Sequence, residues 1–317
     1  MDILITGGTG FLGGAVVRSL LSSNQFNLVA TVRRKQYIAG GIKLVPVAEI
    51  NGSTVWTEAI AGCEVVIHCA ARVHVMDDSA VDPLNEFRTV NTAGTLNLAT
   101  QAAQAGVKRF VFVSSIKVNG EYTVTGTPFK PDDVNVPIDH YGLSKYEAEI
   151  GLREISKETG MEVVIIRPPL VYGPGVKGNF VSMMRWLNRG IPLPLGAIFN
   201  SRSFVALDNL VDLIVTCIGH PNAANNTFLV SDDDDLSTTL LLSKLGLALG
   251  APKRLLPVPG GLLDICARLL GKKGVSQRLL GSLQLDIDKT KHLLGWAPPF
   301  TVDESLKKTA QHFLQCK

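Results

Sequence analysis

The fold of this 317-residue chain is decided by its first stretch, Ile3-Leu4-Ile5-Thr6-Gly7-Gly8-Thr9-Gly10-Phe11-Leu12-Gly13-Gly14. An aliphatic run breaks into closely spaced glycines and then into apolar residues at helical spacing, which predicts a strand, a tight turn and a helix. Gly7 and Gly10 would let the backbone approach a pyrophosphate, and Gly13 would let the helix pack close to the strand. The N–H groups and positive dipole end of that helix would face the phosphates. The stretch therefore predicts a dinucleotide site with Gly-x-x-Gly-x-x-Gly spacing, and an ordinary strand-to-helix turn is the alternative.

The composition is that of a globular protein with a sizeable core, because 46% of the residues are hydrophobic and 19% are charged. A formal net charge of +3 argues against nucleic acid as the main partner. The sequence shows no secretory signal and no long uncharged apolar run, so we expect a cytoplasmic protein with no integral membrane segment. The cysteines lack a CxxC pair and zinc-like histidine spacing, so we expect reduced thiols and no metal site. They are Cys63, Cys69, Cys217, Cys266 and Cys316.

The second predicted strand, residues 27–32, ends in Arg33-Arg34-Lys35. An Asp or Glu at this point of a dinucleotide-binding fold would bond the ribose hydroxyls of NAD, whereas arginine accommodates the 2′-phosphate of NADP. Positions 31–36 contain no acid. The sequence therefore favours NADP(H) over NAD(H), and a solvated basic loop is the alternative interpretation of Arg33 and Arg34.

The fourth predicted strand runs into the small residues Ala70 and Ala71. Small side chains at the carboxyl end of a strand leave room for a cofactor to lie across it. His68 and Cys69, just before them, are interpreted as packed rather than reactive. His74 follows in the loop where α/β proteins place ligands, and it is either a substrate contact or a partly buried loop histidine.

Tyr141 and Lys145 lie at the start of a predicted helix, in the sequence Tyr-Gly-Leu-Ser-Lys. Four-residue spacing puts the phenol and the ammonium on one face of that helix. A cation beside a phenol favours the phenolate, so we expect Lys145 to lower the pKa of Tyr141 and to let it exchange a proton with a substrate oxygen near neutral pH. The pair is a weak signal alone and a strong one beside the glycine turn and a serine that closes the preceding strand.

With these motifs the chain resembles the extended short-chain dehydrogenase/reductase family, which contains nucleotide-sugar epimerases, dehydratases and reductases. The resemblance rests on segments spread over nearly the whole chain, namely 6–13, 68–71, 91–95, 113–115, 141–145, 167–174 and 294–296. It implies that Ser115 bonds the reacting sugar oxygen, that Tyr141 is the acid/base, and that Lys145 holds the nicotinamide ribose while tuning Tyr141. Ser115 is selected over Ser114 because the family's serine or threonine stands three residues before the Val of a Val-Tyr-Gly segment, here Val118.

The residues and the resemblance together give two sets of expected contacts. The cofactor contacts are Gly7, Thr9, Gly10, Phe11, Leu12, Gly13, Arg33, Arg34, Glu49, Ile50, Ala70, Ala71, Tyr141, Lys145 and Pro168. The substrate contacts are His74, Ser115, Asn179, Arg202 and Arg278. Arg202 resembles the family's arginine that pairs with a diphosphate, and a surface ion pair is its alternative. Asn179 matches an asparagine that contacts the nucleotide sugar in relatives, and capping a helix is its alternative.

Three departures from the family pattern narrow the expected activity. Sugar 4,6-dehydratases of this group follow their serine or threonine with Asp-Glu, whereas this chain has Ile116-Lys117, which argues against dehydration. Leu170 stands where many relatives have an asparagine that contacts the substrate. The basic Arg33-Arg34 ending of the second strand is typical of a reductase that accepts NADPH rather than of an epimerase, which commonly carries an acid there.

Two later segments are interpreted from composition. Residues 262–270 predict an apolar helix followed by Lys272-Lys273, which would contact a membrane surface or a subunit, although core packing is the favoured interpretation. The acidic run 232–235 is interpreted as a solvated turn that complements the dipole of the next helix, with metal binding as a minor alternative.

We expect a doubly wound parallel Rossmann sheet over residues 1–170, with a return segment near 200–230, and a smaller α/β substrate-capping domain over 171–317. The expected reaction is NAD(P)H-dependent reduction of a UDP-4-keto-6-deoxy-hexosamine at C4, since the full-length pattern is similar to UDP-N-acetylquinovosamine dehydrogenases of surface-polysaccharide synthesis. The first alternative is a UDP-hexose or UDP-N-acetylhexosamine 4-epimerase with tightly bound NAD. The second is a non-catalytic nucleotide-binding or redox-sensing protein, against which the intact serine, tyrosine and lysine argue. Relatives often form dimers, so a homodimer is also expected.

Overall fold

Parallel strands form two sheets in the computed structural model, which describes residues 1–33, 42–73, 82–133, 135–252, 254–271 and 273–316. The strands are β1 (Asp2–Thr6), β2 (Asn27–Val32), β3 (Lys43–Pro46), β4 (Val65–His68), β5 (Arg109–Val113), β6 (Glu162–Arg167), β7 (Leu170–Tyr172), β8 (Phe204–Ala206) and β9 (Thr227–Leu229). The main sheet has the order β3-β2-β1-β4-β5-β6-β9 with every neighbouring pair parallel. The strand order reverses between β1 and β4, which is where doubly wound sheets bind ligands.

Helices connect these strands and build the smaller part of the protein. They are α1 (Phe11–Ser23), α2 (Thr57–Ile60), α3 (Pro83–Phe87), α4 (Gly94–Gln104), α5 (His140–Thr159), α6 (Asn179–Asn188), α7 (Leu207–Gly219), α8 (Thr238–Ala248), α9 (Gly260–Leu269), α10 (Lys273–Leu280), α11 (Asp288–Leu294) and α12 (Val302–Gln315). A π-helical segment, Arg88–Ala93, joins α3 to α4, and a short 3-10 turn lies at Ile116–Val118. Within the described ranges, no helix has the length and apolar character needed to cross a bilayer.

Helices cover both faces of the main sheet because alternate residues of its strands point to opposite sides. In β1, Ile3 and Ile5 join a core cluster with α1 and α7, whereas Leu4 joins a second cluster with α4 and α5. All three side chains are fully buried. The predicted doubly wound α/β fold is confirmed.

The smaller part of the protein follows β6 and has its own core. Strands β7 and β8 pair in parallel, and α6, α8 and α12 pack in a third cluster that includes Tyr172 and Phe180. The chain then returns to the main sheet, where β9 pairs with β6. The domain boundary at residue 170 stays a prediction.

The acidic run is not simply a solvated turn, because its first residue is buried. The Asp232 carboxylate accepts hydrogen bonds from the Tyr172 hydroxyl at 2.7 Å, the Asn209 amide at 2.7 Å and the Ala206 N–H at 2.8 Å. Burial raises the pKa of this carboxyl above its usual value. Asp232 therefore ties β7, β8 and α7 together, and only the residues after it are exposed.

The favoured interpretation of residues 262–270 as a core-packed helix is wrong. They form most of α9, and no residue of that helix is buried. The sequence contains the expected apolar residues, but the fold leaves them on the surface.

Candidate active site

The glycine turn between β1 and α1 is the most tightly packed backbone of the site. Gly7 has a φ of 70°, and its carbonyl accepts the Gly10 N–H at 2.8 Å. A Cβ on Gly13 would lie 2.3 Å from the Gly7 carbonyl oxygen, so only glycine lets α1 pack this close to the turn.

The N-terminus of α1 opens at this turn, and its surroundings suit an anion. The first turn of α1 contains no acidic residue, and no described side chain caps it. Ala70, beyond β4, donates its N–H to the Thr6 hydroxyl at 3.2 Å, and its nitrogen would lie 3.0 Å from a Cβ on Gly7. Small residues beside a helix N-terminus give a dinucleotide pyrophosphate room and N–H donors. These residues therefore fit a bound NAD or NADP.

Of the remaining expected cofactor contacts, four that the structure describes follow strands of the main sheet. Arg33 is exposed directly after β2, while Arg34 lies outside the described residues. Glu49 is exposed beyond β3, and the side chain of Ile50 packs against the start of α4. The buried Pro168, after β6, accepts the Ile116 N–H at 3.0 Å.

Tyr141 lies in the first turn of α5, whose N-cap is Asp139. The Asp139 carboxylate accepts the Gly142 N–H at 2.8 Å and so fixes this end of the helix. The side chain of Ser115 lies near the phenol of Tyr141 and acts to lower its pKa. Ser114 instead donates its hydroxyl to buried Glu149 at 2.6 Å, so it is turned away from the phenol. The structure thus brings Ser115, and not Ser114, to Tyr141.

Lys145 lies one helical turn beyond Tyr141 and is buried. Its ammonium donates to the Val113 carbonyl at 2.9 Å and lies 4.5 Å from the centroid of the Phe112 ring. Burial lowers the pKa of Lys145 from 10.5 to about 8, and Cys69 and Glu149 partly offset that effect.

The prediction that Lys145 lowers the pKa of Tyr141 is wrong. Burial raises the pKa of Tyr141 to about 12, Ser115 opposes this, and Asp139 adds to it. The ammonium of Lys145 is bonded to the strand rather than to the phenol, so the phenol keeps its proton. Additional positive charge beside the ring is needed before it can ionise near neutral pH.

His68 is a packed residue. Its ring nitrogens lie 2.7 Å from the Thr6 hydroxyl and 3.0 Å from the Thr95 hydroxyl, and its ring stacks on Phe112 at 5.9 Å. Burial and Lys145 lower the pKa of His68 to about 3, so the ring is neutral. Burial likewise raises the pKa of Cys69 to about 12 and makes a reactive thiolate unfavourable.

Lys117 belongs to the site although sequence reasoning gave it no role. Its ammonium lies 6.0 Å from the centroid of the Tyr141 ring and pairs with Asp139 at 3.0 Å and Glu121 at 3.3 Å. Its position two residues after Ser115 was the available signal, since Ser115 caps the short turn that contains Lys117.

Asn91 is a second missed residue, and it lies in the π-helical segment. Its side chain accepts the Arg72 N–H at 2.8 Å and donates to the Arg72 carbonyl at 3.0 Å and the Ser144 hydroxyl at 3.0 Å. Ser144 in turn donates to the Tyr141 carbonyl at 2.8 Å. Asn91 therefore fixes the loop after β4 to the helix that carries Tyr141, and π segments are frequent at functional sites.

The expected substrate residues are spread over the smaller part of the protein. Arg202 is partly buried and donates to the Gly281 carbonyl at 2.8 Å, and burial lowers its pKa. Arg278 is exposed in the last turn of α10, one turn before Gly281. Asn179 is exposed as the first residue of α6, and His74 lies outside the described residues.

Arg202 is thus not the surface ion pair of the alternative interpretation. Among the described residues, no carboxylate forms an ion pair with Arg202, and its guanidinium donates to a backbone carbonyl instead. A partly buried guanidinium in this state suits an anionic ligand. Among the described residues, no group of His, Cys, Asp and Glu side chains is arranged to hold a metal ion.

Comparison with known proteins gives matches over nearly the whole chain. A family model described as "NAD dependent epimerase/dehydratase family" matches residues 3–231. A UDP-glucose 4-epimerase of Vibrio cholerae is 53% identical over 315 residues, which cover 99% of this chain and 96% of that protein. An N-acetyl-alpha-D-glucosaminyl-diphospho-ditrans,octacis-undecaprenol 4-epimerase of Escherichia coli O157:H7 is 27% identical over 98% of this chain and 95% of its own length.

Solved structures share the fold at lower identity. A UDP-glucuronic acid 4-epimerase from Bacillus cereus, in complex with NAD, superposes with a TM-score of 0.79 and 19% identity. The match covers 100% of this chain and 99% of that one.

Proposed function

The chain belongs to the NAD-dependent epimerase/dehydratase family, and we propose that it is a 4-epimerase of UDP-hexoses or UDP-N-acetylhexosamines that keeps NAD bound. The relative that is 53% identical over 99% of the chain is a UDP-glucose 4-epimerase, which favours epimerisation over the expected reduction of a 4-keto sugar. The preference for NADP(H) has no support from these relatives, whereas the Bacillus cereus neighbour binds NAD.

The observation that carries this proposal is the placement of Ser115 beside the Tyr141 phenol at the carboxyl end of β5. The buried ammonium of Lys145 lies one helical turn away, and the glycine turn opens at the same edge of the sheet. This arrangement can hold a sugar hydroxyl at two oxygens and move its proton.

Bound NAD would supply the acceptor that takes a hydride from C4 of the sugar and gives it back. Tyr141 would take the proton of the C4 hydroxyl as hydride leaves C4. After the 4-keto sugar has turned over and hydride has returned to the opposite face of C4, Tyr141 would give the proton back to the C4 oxygen, and Ser115 would hold that oxygen in both steps. Lys145 would bond the ribose of the nicotinamide and so hold the cofactor beside the phenol. Arg202 would pair with the diphosphate of the substrate, for which a guanidinium is suited.

Dehydration is the reaction that the site supports least. Loss of water across C5 and C6 needs an acid and a base beside the serine, and Ile116 and Lys117 occupy those positions. The Lys117 ammonium is paired with Asp139 at 3.0 Å and with Glu121 at 3.3 Å, so it is committed to contacts within the protein.

Reduction of a UDP-4-keto sugar is the second candidate, and one observation favours it. Arg33 is exposed at the end of β2, in the position where an acid would bond the ribose hydroxyls of NAD. A reductase releases its oxidised cofactor after each turnover, whereas an epimerase retains it. Cofactor stoichiometry therefore separates the two.

The test combines purified protein with UDP-glucose, UDP-N-acetylglucosamine and UDP-4-keto-6-deoxy-hexosamine, each with NAD, NADH or NADPH. The proposal predicts interconversion of C4 epimers with NAD and no net change in nicotinamide absorbance. Stoichiometric oxidation of NADH or NADPH by the keto sugar, with no epimer formed from the other two, would establish the reductase instead.

A Tyr141→Phe variant is the matched control for this experiment, because it removes one oxygen and keeps the ring. We expect it to bind NAD and UDP-sugar while losing about 10²- to 10⁴-fold in turnover, the usual contribution of a positioned acid/base. Unchanged turnover would instead support the non-catalytic alternative.

A further inference from the structure

Helix α9 presents a row of large apolar side chains to solvent. Leu262, Ile265 and Leu269 are 54%, 57% and 83% exposed, and Leu270 directly after the helix is 73% exposed. Spacing of three and seven residues puts the first three on one face. No other described helix exposes more than two large apolar side chains.

The opposite side of α9 packs against α10, so the two helices form a hairpin. The apolar face of α9 has no partner among the described residues. Leu263 and Ala267 are half-buried on the inner side. Asp264 accepts the Ser276 hydroxyl of α10 at 2.7 Å and pairs with Arg268 at 2.7 Å. The exposed apolar row therefore lies outside the contacts that hold the hairpin.

The sequence around this row is strongly basic. Residues 251–281 contain six Lys and Arg residues against the single acid Asp264, a net charge of +5 in a chain whose total is +3. The one acid is already paired with Arg268, and Arg278 is exposed on α10. An apolar helix face with a surplus of positive charge is the composition that binds anionic membrane surfaces.

We propose that the α9–α10 hairpin docks on the surface of an anionic lipid bilayer, with Leu262, Ile265 and Leu269 inserted at the headgroup boundary. A second copy of the chain is a poorer occupant, because a two-fold contact through this face would bring together two copies of a segment whose sequence carries a net charge of +5. Charge complementarity therefore selects the lipid.

The docking face is joined to the proposed diphosphate site through backbone contacts. Asn200 and Arg202 both donate to the Gly281 carbonyl, each at 2.8 Å, directly after α10. Pro259, before α9, pairs with Ala197 in a β-bridge. A bilayer bound at α9 would thus adjoin the segment that carries Arg202.

The test is sedimentation of the purified full chain with vesicles of phosphatidylcholine, alone or mixed with phosphatidylglycerol. We expect binding only to the phosphatidylglycerol vesicles and release at about 1 M salt, where the Debye length falls to about 3 Å. Replacing Leu262 and Leu269 together by Asp should weaken binding at least tenfold, an order-of-magnitude estimate from the apolar area removed.

Leu247→Asp is the control, because Leu247 is also 73% exposed but lies on α8. It should bind vesicles like the wild type, and all proteins should keep the same melting temperature. Absent binding, equal binding to neutral vesicles, or an undiminished double variant would overturn the proposal. A double variant that changes oligomeric state while no protein binds vesicles would assign the face to a second copy instead. None of these outcomes depends on the enzyme's activity.

Discussion

At the residue scale, burial sets the chemistry of Lys145 and Tyr141 more than their proximity does. Their spacing in the sequence correctly places both on one helix face, but the ammonium bonds the Val113 carbonyl rather than the phenol. Sequence spacing carries no information on how deeply each group is buried. The pair's pKa values therefore follow from the fold and not from the motif.

Lys145 should reduce stability around neutral pH. Its pKa falls from 10.5 in the unfolded chain to about 8 in the fold, so the ammonium is penalised below pH 8. Between pH 8 and 10.5 the unfolded state binds the extra proton, and stability therefore rises with pH across that window. At pH 7 we expect the free energy of unfolding of Lys145→Met to exceed that of the wild type by up to about 3 kcal/mol.

Urea denaturation without cofactor, at pH 7 and again near pH 10, measures this difference. The gap between variant and wild type should shrink at the higher pH. Lys157→Met, exposed on the same helix, is the control and should stay close to the wild type at both pH values. A gap of equal size at both pH values would show that the ammonium is not penalised.

Gly13 should tolerate no side chain. A Cβ there would meet the Gly7 carbonyl oxygen at 2.3 Å, which forces the turn and α1 apart. We expect Gly13→Ala to purify without nicotinamide cofactor and to lose about 1–3 kcal/mol of stability, the usual cost of overpacking. Gly219→Ala, where nothing lies within 4 Å of the added carbon, should retain cofactor and melt like the wild type.

At the scale of elements, α5 connects the site to a buried ion pair. Glu149, two turns after Tyr141, accepts two hydrogen bonds from Arg167 of β6, at 2.9 and 2.6 Å, and one from Ser114. Both charged side chains are nearly inaccessible to solvent. The pair thereby fixes α5 against the ends of β5 and β6, where Ser115 and Tyr141 meet.

Glu149→Gln should destabilise the protein strongly, because it leaves the Arg167 charge buried without its partner. A broken buried pair typically costs about 3–5 kcal/mol, and chemical denaturation would measure the loss. Glu147→Gln is the matched control on the same helix, since Glu147 pairs with partly exposed Arg88 and should cost less than about 1 kcal/mol. Equal losses of unfolding free energy in the two variants would show that the buried pair stabilises the fold no more than the exposed pair does.

Helices and strands could be predicted from the sequence where the signal is local, as hydrophobic periodicity and the placement of glycines are. The strand-turn-helix at residues 3–21 and the start of α5 are examples. Of the partners of Glu149, helical spacing predicts only Arg153, four residues further on. Arg167 and Ser114 were not predictable, because they lie 18 and 35 residues away and only the fold joins them to Glu149. For α9 the composition indicated an apolar helix, but whether its apolar face is covered depends on neighbours that periodicity does not specify.

At the scale of the whole molecule, the parallel sheet brings together residues far apart in sequence at one carboxyl edge. Strands β1, β4 and β5 are neighbours in the sheet, so the residues just beyond them lie close together, namely Gly7, Ala70 and Ser115. Tyr141 reaches the same edge from α5. The family resemblance anticipated the fold, and the roles that it implies for the site residues stay a prediction. It did not decide between hydride return and net reduction, because both reactions use the same serine, tyrosine and lysine.

An enzyme that returns its hydride has reason to hold its cofactor through purification. We expect the protein to elute with NAD, at close to one per chain, and to keep it through gel filtration. Acid extraction followed by chromatography would identify the nucleotide. Recovery of NADP, or of a cofactor-free protein that binds NADPH reversibly, would favour the reductase and a role for Arg33.

The most direct test of the proposed function is to run the reaction on UDP-glucose in deuterated water and examine C4 of the product. If hydride leaves and returns to the same carbon within the closed site, while Tyr141 moves only the hydroxyl proton, the C4 epimer will carry no deuterium at that carbon. Deuterium at C4, or the absence of any epimer from UDP-glucose and UDP-N-acetylglucosamine, would contradict the account.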